Sequence, residues 1–248
     1  MRLRKVAFTN AKGGVAKTTT CVNMGAALAL AGYRTLLVDC DTQGQVTKSL
    51  GVQAGEGLAE LVQGDAGLED VQIEARENLF VIAGGGELSG VKRMISRRDM
   101  RSELVLSEAL EHLRGYEFVL LDAAPSWDVL NVNCLFYVDE ILIPVSMEVL
   151  ALQGIGDFLS RVREVQRYRE SLLIRGIIPT FYDGRVKKSA EILDQLERHF
   201  PNTVWPTVRY NSKLSEAPGF GQHIFEYAKR SHGAADYERL AKRLATGE

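Results

Sequence analysis

The chain has 248 residues, 46% of them hydrophobic, 25% charged and 8% aromatic, with a formal net charge of −2. That apolar content excludes a disordered chain, and no stretch approaches the ~18 uninterrupted apolar residues of a membrane span. Cys21, Cys40 and Cys134 form no CxxC pair and read as buried thiols; with the polar start MRLRK, this predicts a protein of the reducing cytoplasm.

In chain order, short apolar runs alternate with helical patterns. The runs lie at 6–8, 35–38, 79–82, 118–121, 140–143, 173–178 and 203–208, and read as seven strands. Continuous runs without polar alternation suit strands buried on both faces of a parallel sheet. Helical patterns cover 18–31, 103–113, 152–169, 189–199 and 234–245. The alternation predicts an α/β fold with a doubly wound, mostly parallel sheet and helices on both faces. Segments 55–67 and 84–90 read as surface loops, and the whole of 1–248 reads as one domain. Charge is uneven along it. Residues 1–160 carry 14 Lys/Arg against 21 Asp/Glu, and residues 161–248 carry 16 against 11. A basic C-terminal third is a candidate footprint for a polyanion.

The first strand runs into Asn10-Ala11-Lys12-Gly13-Gly14-Val15-Ala16-Lys17-Thr18-Thr19-Thr20 and then a helix. A strand, a glycine loop and a helix N-terminus gather backbone N–H groups around one point, where the helix dipole favours an anion. Lys17 is placed to reach the β- and γ-phosphates of a nucleotide, and the Thr18 hydroxyl to ligate Mg²⁺. The second run ends in Asp39-Cys40-Asp41 and the fourth in Asp122. Carboxylates at the C-terminal ends of central strands lie on the ligand edge of an open α/β sheet. Four apolar residues followed by Asp122 form a Walker B arrangement, in which the acid holds a metal-bound water. Thr180, after the sixth run, is the candidate for contact with the base.

Both glycine positions of the standard Walker A pattern are alanine here, Ala11 and Ala16. The segment Lys12 to Thr19 instead resembles the deviant Walker A motif of the ParA/MinD ATPase superfamily. Asp39, Asp41, Gln43 and Gly44 resemble that family's DxDxQG motif, and Asp122-Ala123-Ala124-Pro125-Ser126 its DxxPS motif. The likeness runs on through 139–145, Glu148 and Gly154, and covers nearly the whole chain. Phe181-Tyr182-Asp183-Gly184-Arg185 and Lys213-Leu214-Ser215-Glu216-Ala217-Pro218 resemble the ParA/Soj branch in particular.

The resemblance implies an ATPase using ATP and Mg²⁺, with Lys12, Lys17 and Asp41 as catalytic residues. Lys12 would cross a homodimer interface to the partner's phosphates, making ATP a switch for association. Asp41 would orient the attacking water and hold Mg²⁺ through water, as Asp122 does, while Asp39 supports the loop. It further implies non-specific binding of duplex DNA by the ATP dimer, nucleoid association and a ParB-type partner. Arg185 and Lys213 are then the first candidates for DNA contact, with Lys187, Lys188, Arg209, Lys229 and Arg230 extending the patch. Segment 92–101 carries five positive residues and matches no family role. Two alternatives stand beside this reading. A MinD-like positioning ATPase calls for an amphipathic membrane helix, which the Tyr237 to Ala245 segment does not resemble. A metabolic P-loop enzyme would show a substrate-dependent rate and no DNA binding.

Overall fold

The computed structural model describes residues 3–148 and 151–247. Its strands are β1 (Arg4–Phe8), β2 (Thr35–Cys40), β3 (Gln72–Arg76), β4 (Leu79–Ile82), β5 (Phe118–Ala123), β6 (Glu140–Ser146) and β7 (Leu173–Thr180). They form one sheet in the order β3-β4-β2-β5-β1-β6-β7. Every neighbouring pair is parallel except β3 with β4. The doubly wound, mostly parallel sheet read from the sequence is the fold.

Alternate residues of each strand feed two cores. Val6, Phe8, Leu37, Leu120 and Leu142 pack on one face, under the helices Lys17–Leu30 and His232–Thr246. Ala7, Leu36, Val38, Leu121 and Ile143 pack on the other, under the helices Val129–Tyr137 and Ala151–Gln166. This two-sided burial explains why the central strands are apolar without alternation. The small residues of helix Lys17–Leu30 let it lie close to the sheet: a Cβ on Gly25 would come 2.5 Å from Leu37 Cδ2.

Four sequence expectations need correction. The 203–208 run forms no strand; it follows β7 through isolated bridges at Val204 and Arg209, because Pro206 has no N–H to continue a ladder. β3 went unread because Gln-Ile-Glu-Ala-Arg has no apolar run, a composition that suits an exposed edge. The loops read at 55–67 and 84–90 contain the helix Leu58–Gln63 and the start of the helix Leu88–Ser96. The first is capped where the Gly57 N–H donates to Glu60 at 2.8 Å. The helix read at 103–113 is broken into a 3₁₀ turn, Ser102–Leu104, and a short helix, Val105–Ala109.

The strand order sets up the site. β5 lies between β2 and β1, and its Asp122 pairs in register with Asp39 on one side and Phe8 on the other. The loop after β1 and the acids ending β2 and β5 therefore meet at one edge, where the strand order reverses. On the β7 side the backbone is fixed by a close approach: a Cβ on Gly176 would lie 2.1 Å from Trp205 Nε1, whose indole N–H donates to the Arg175 carbonyl. Gly176→Ala is expected to destabilise the fold by about 1–3 kcal/mol through overpacking. Urea unfolding should show a lower midpoint at unchanged slope.

Candidate active site

The loop between β1 and the helix Lys17–Leu30 is held from behind. Asn10 is buried; its Nδ2 donates to the Pro144 carbonyl at 2.8 Å, and its Oδ1 accepts from Lys12 N at 3.0 Å. Gly14 (φ 71°) and Ala16 (φ 65°) both take the left-handed conformation. Thr180 Oγ1 donates to the Val15 carbonyl at 3.2 Å and Thr20 Oγ1 to the Ala16 carbonyl at 2.6 Å. No side chain caps the helix at Ala16, which leaves its first-turn N–H groups for an anion.

Lys17 is buried, and its Nζ donates to the Lys12 carbonyl at 2.8 Å. Burial lowers its pKa, against the opposing charges of Asp122 and Asp41. Thr18 Oγ1 donates to Asp122 Oδ2 at 2.6 Å, tying the loop helix to the end of β5. Asp122 is 1% exposed, and its Oδ1 has no hydrogen-bond partner among the described residues. Burial pushes its pKa well up, with the charge of Asp39 adding to the rise. A sealed carboxylate with one free oxygen beside a threonine hydroxyl fits a hydrated cation. Among the described residues, no group of three His, Cys, Asp or Glu is placed to hold a metal ion by itself. Such a cation would therefore draw its other ligands from water and phosphate, as Mg²⁺ commonly does.

Asp39 and Asp41 divide their work. The chain leaves β2 at Cys40 and turns. Asp39 is fully buried, and its carboxylate accepts from Asp41 N at 2.9 Å and Val46 N at 3.0 Å. Burial raises its pKa to about 6. Asp41 is half-buried, with Oδ1 accepting from Gln43 N at 3.1 Å and its carbonyl from Gly85 N at 3.0 Å. Lys12 lies apart from Lys17: its Nζ pairs with Glu148, whose pKa that contact lowers.

Beside the loop a cleft of about 130 Å³ is lined by Ala16, Thr19, Thr180, Phe181, Tyr210 and Asn211, among others. Thr180, the sequence candidate for the base, lines this cleft; it is 1% exposed and its hydroxyl also holds the loop through Val15. Tyr210 and Asn211 were missed because no motif marks them, and Phe181 was read only as part of the 181–185 segment; the three come together through the packing of 203–211 along β7.

The candidate basic residues also separate. Arg185 is exposed and pairs with Asp183 through two hydrogen bonds of 2.9 and 2.7 Å. Lys213 pairs with Glu216 at 2.8 Å and Lys187 with Glu191 at 3.6 Å; Lys188 is exposed. Arg209 is anchored to Asp236, which is 1% exposed, through its backbone N–H, Nε and Nη2, while its own side chain stays 42% exposed. Releasing it would strand a buried charge, so any outward contact is made with this pair intact. In segment 92–101, Lys92 pairs with Asp128, and Arg98 and Arg101 with Glu108.

Ala16 stands in a conformation that costs a residue with a Cβ about 1–2 kcal/mol. Ala16→Gly should therefore raise unfolding stability by about 0.5–1 kcal/mol, net of glycine's greater freedom in the unfolded chain, as read by denaturant midpoint.

Residues 3–174 match the family model described as an AAA domain. The chain is 38% identical over 247 residues to the sporulation initiation inhibitor protein Soj of Bacillus subtilis, covering 97% of each. It is 35% identical to the chromosome partitioning protein ParA of Caulobacter vibrioides, covering 99% of this chain and 95% of that one. It also superposes with a TM-score of 0.86 and 30% identity on cobyrinic acid a,c-diamide synthase from Mycobacterium smegmatis with a bound ATP analogue and magnesium, covering 100% of this chain and 98% of that one. With its phosphate loop, its Thr18–Asp122 link and these full-length likenesses, the chain belongs to the ParA/Soj family of partitioning ATPases.

Proposed function

We propose that this partitioning ATPase binds ATP and Mg²⁺ at the loop, pairs with a second copy in that state, and binds duplex DNA without sequence preference as the dimer. The observation that carries this reading is the separation of the two lysines. Lys17 is drawn into the loop, whereas the ammonium of Lys12 is held outside it by Glu148. A triphosphate needs cations around its γ-oxygens, and among the described residues Lys17 is the lysine turned into the loop while Lys12 is turned to Glu148. Lys12 of a facing copy would complete each site.

The residues would act as follows. Backbone N–H groups of Gly13 to Thr19 take the phosphates, with Lys17 on the β- and γ-oxygens. Thr18 directly, and Asp41 and Asp122 through water, would hold Mg²⁺, which supplies positive charge to the leaving phosphate oxygens. The base lies in the cleft at Phe181 and Tyr210. Asp41 accepts a hydrogen bond from the water that attacks the γ-phosphorus; the bond to ADP breaks as the new P–O bond forms. Lys17 and the partner's Lys12 counter the charge on the transferring group. Slow turnover suits a switch, and a ParB-type partner would quicken it.

DNA contact draws on Arg185, Lys187, Lys188 and Lys213. Each of the pairs Arg185–Asp183 and Lys213–Glu216 is exposed and local, so phosphate can replace the carboxylate at little cost. A membrane role has less support. The helix His232–Thr246 buries Tyr237, Leu240 and Leu244 against the sheet, so its apolar face is already used. Among the described residues, no helix is long and apolar enough to cross a membrane.

With a non-hydrolysable ATP analogue and Mg²⁺, light scattering should show the mass doubling, and Lys12→Ala should leave it monomeric while still binding the analogue. A wild-type mass that stays monomeric defeats the proposal. DNA binding compared across apo, ADP and analogue states should appear in the last alone. A metabolic enzyme on this fold would ignore DNA in all three and turn over ATP only with its small-molecule substrate. Glu216→Gln, by freeing Lys213, should tighten DNA binding several-fold, and Lys213→Glu should weaken it and lower the salt slope by about 1. Filter binding at several salt concentrations reads both.

A further inference from the structure

Two buried hydroxyls reach the back of the phosphate loop from elements far away in sequence. Thr180, at the end of β7, donates to the carbonyl of Val15. Tyr237, in the helix His232–Thr246, is fully buried and lies 3.2 Å from Thr20 Oγ1, which in turn donates to the carbonyl of Ala16. Because Thr20 gives its proton to Ala16, Tyr237 is the donor of the pair. The two anchored carbonyls are consecutive.

A trans peptide is planar, with its C=O and N–H pointing opposite ways. Tying the Val15 carbonyl inward turns the Ala16 N–H outward, and tying the Ala16 carbonyl inward does the same for the Lys17 N–H. These are the amides at the mouth of the loop. Ala16 is also the residue whose left-handed φ a Cβ disfavours, so the loop has reason to need holding at this point. We propose that Thr180 and Tyr237 are positioning residues, which aim the Ala16 and Lys17 amides at the bound phosphates; this rests on the ATP-binding reading above. Both residues line the cleft beside the loop, but their hydroxyls are bonded to Val15 and Thr20, so they act by fixing the direction of the phosphate-binding donors.

Tyr237→Phe and Thr180→Val keep shape and remove one hydroxyl each. Steady-state ATP hydrolysis with Mg²⁺ is expected to show KM for ATP raised about fivefold or more in each, with kcat within about twofold of wild type, since binding is lost equally from ground and transition states. Adding Ala16→Gly to Tyr237→Phe removes the strain that the hydroxyl offsets and should bring KM back to within about twofold of wild type. The proposal is overturned by unchanged KM in both variants, by a fall in kcat alone, or by a KM rise that glycine at 16 does not reverse, which would mark lost packing. A wild-type protein that turns over no ATP would instead overturn the ATP-binding reading itself, before the variants are compared.

Discussion

Asp122 is sealed from water yet sits beside a second buried carboxylate, Asp39, and that arrangement asks for positive charge. An ionised carboxylate in such a place is costly unless it is paired. Within the chain the compensation is partial: one hydrogen bond from Thr18 and the nearby charge of Lys17. Lys17 is itself buried, with its pKa lowered, so neither group is at ease without a ligand. A hydrated divalent cation beside Asp122 and an anion over the helix N-terminus would relieve both together. The same few ångströms of incompletely matched charge favour a metal-bound polyphosphate there.

Similar reasoning applies to the charges that the proposed function sends outward. Lys12 is held by Glu148, Arg185 by Asp183 and Lys213 by Glu216. All three are exposed pairs, and pairs of that kind are worth about 0–1 kcal/mol. Each cation is thus kept from stray anions by a partner that a stronger one can displace. Arg209 obeys the opposite rule. Its carboxylate partner is buried, so that pair stays closed, although the arginine side chain itself remains 42% exposed at the surface.

The central architecture was legible because its physics is local. Runs such as Phe118 to Leu121 followed by an acid encode a buried strand and its ligand end at once, and the KGGxxKT loop carries its geometry in consecutive residues. The sequence-based reading failed where geometry is made by distant segments. Thr180 ends β7 at the ligand edge of the sheet and so pointed to the base, but only the fold shows that its hydroxyl also reaches Val15. Nothing in Tyr210 or Asn211 marks them as cleft residues until 203–211 is laid along β7. Lysines and arginines of the C-terminal third look alike in sequence; their partners distinguish Arg209 from Lys213.

The helix His232–Thr246 gives these separate pieces a common support. Asp236 and Tyr237 are adjacent, and consecutive helical residues point about 100° apart, so one turn can serve two neighbours. Asp236 fastens Arg209, next to the cleft residues Tyr210 and Asn211, while Tyr237 backs the phosphate loop through Thr20. Lys213 lies four residues beyond Arg209, in the helix Ser212–Glu216, whose Leu214 packs against the Gly233 backbone of the same supporting helix. The cleft, the loop and the segment carrying Lys213 therefore all rest on one helix. Packed interiors yield little to strain, so a nucleotide that shifts the loop meets, through Tyr237 and Asp236, the segment that carries Lys213. In the proposed function, that contiguity is the route by which a change at the loop would reach the segment carrying Lys213.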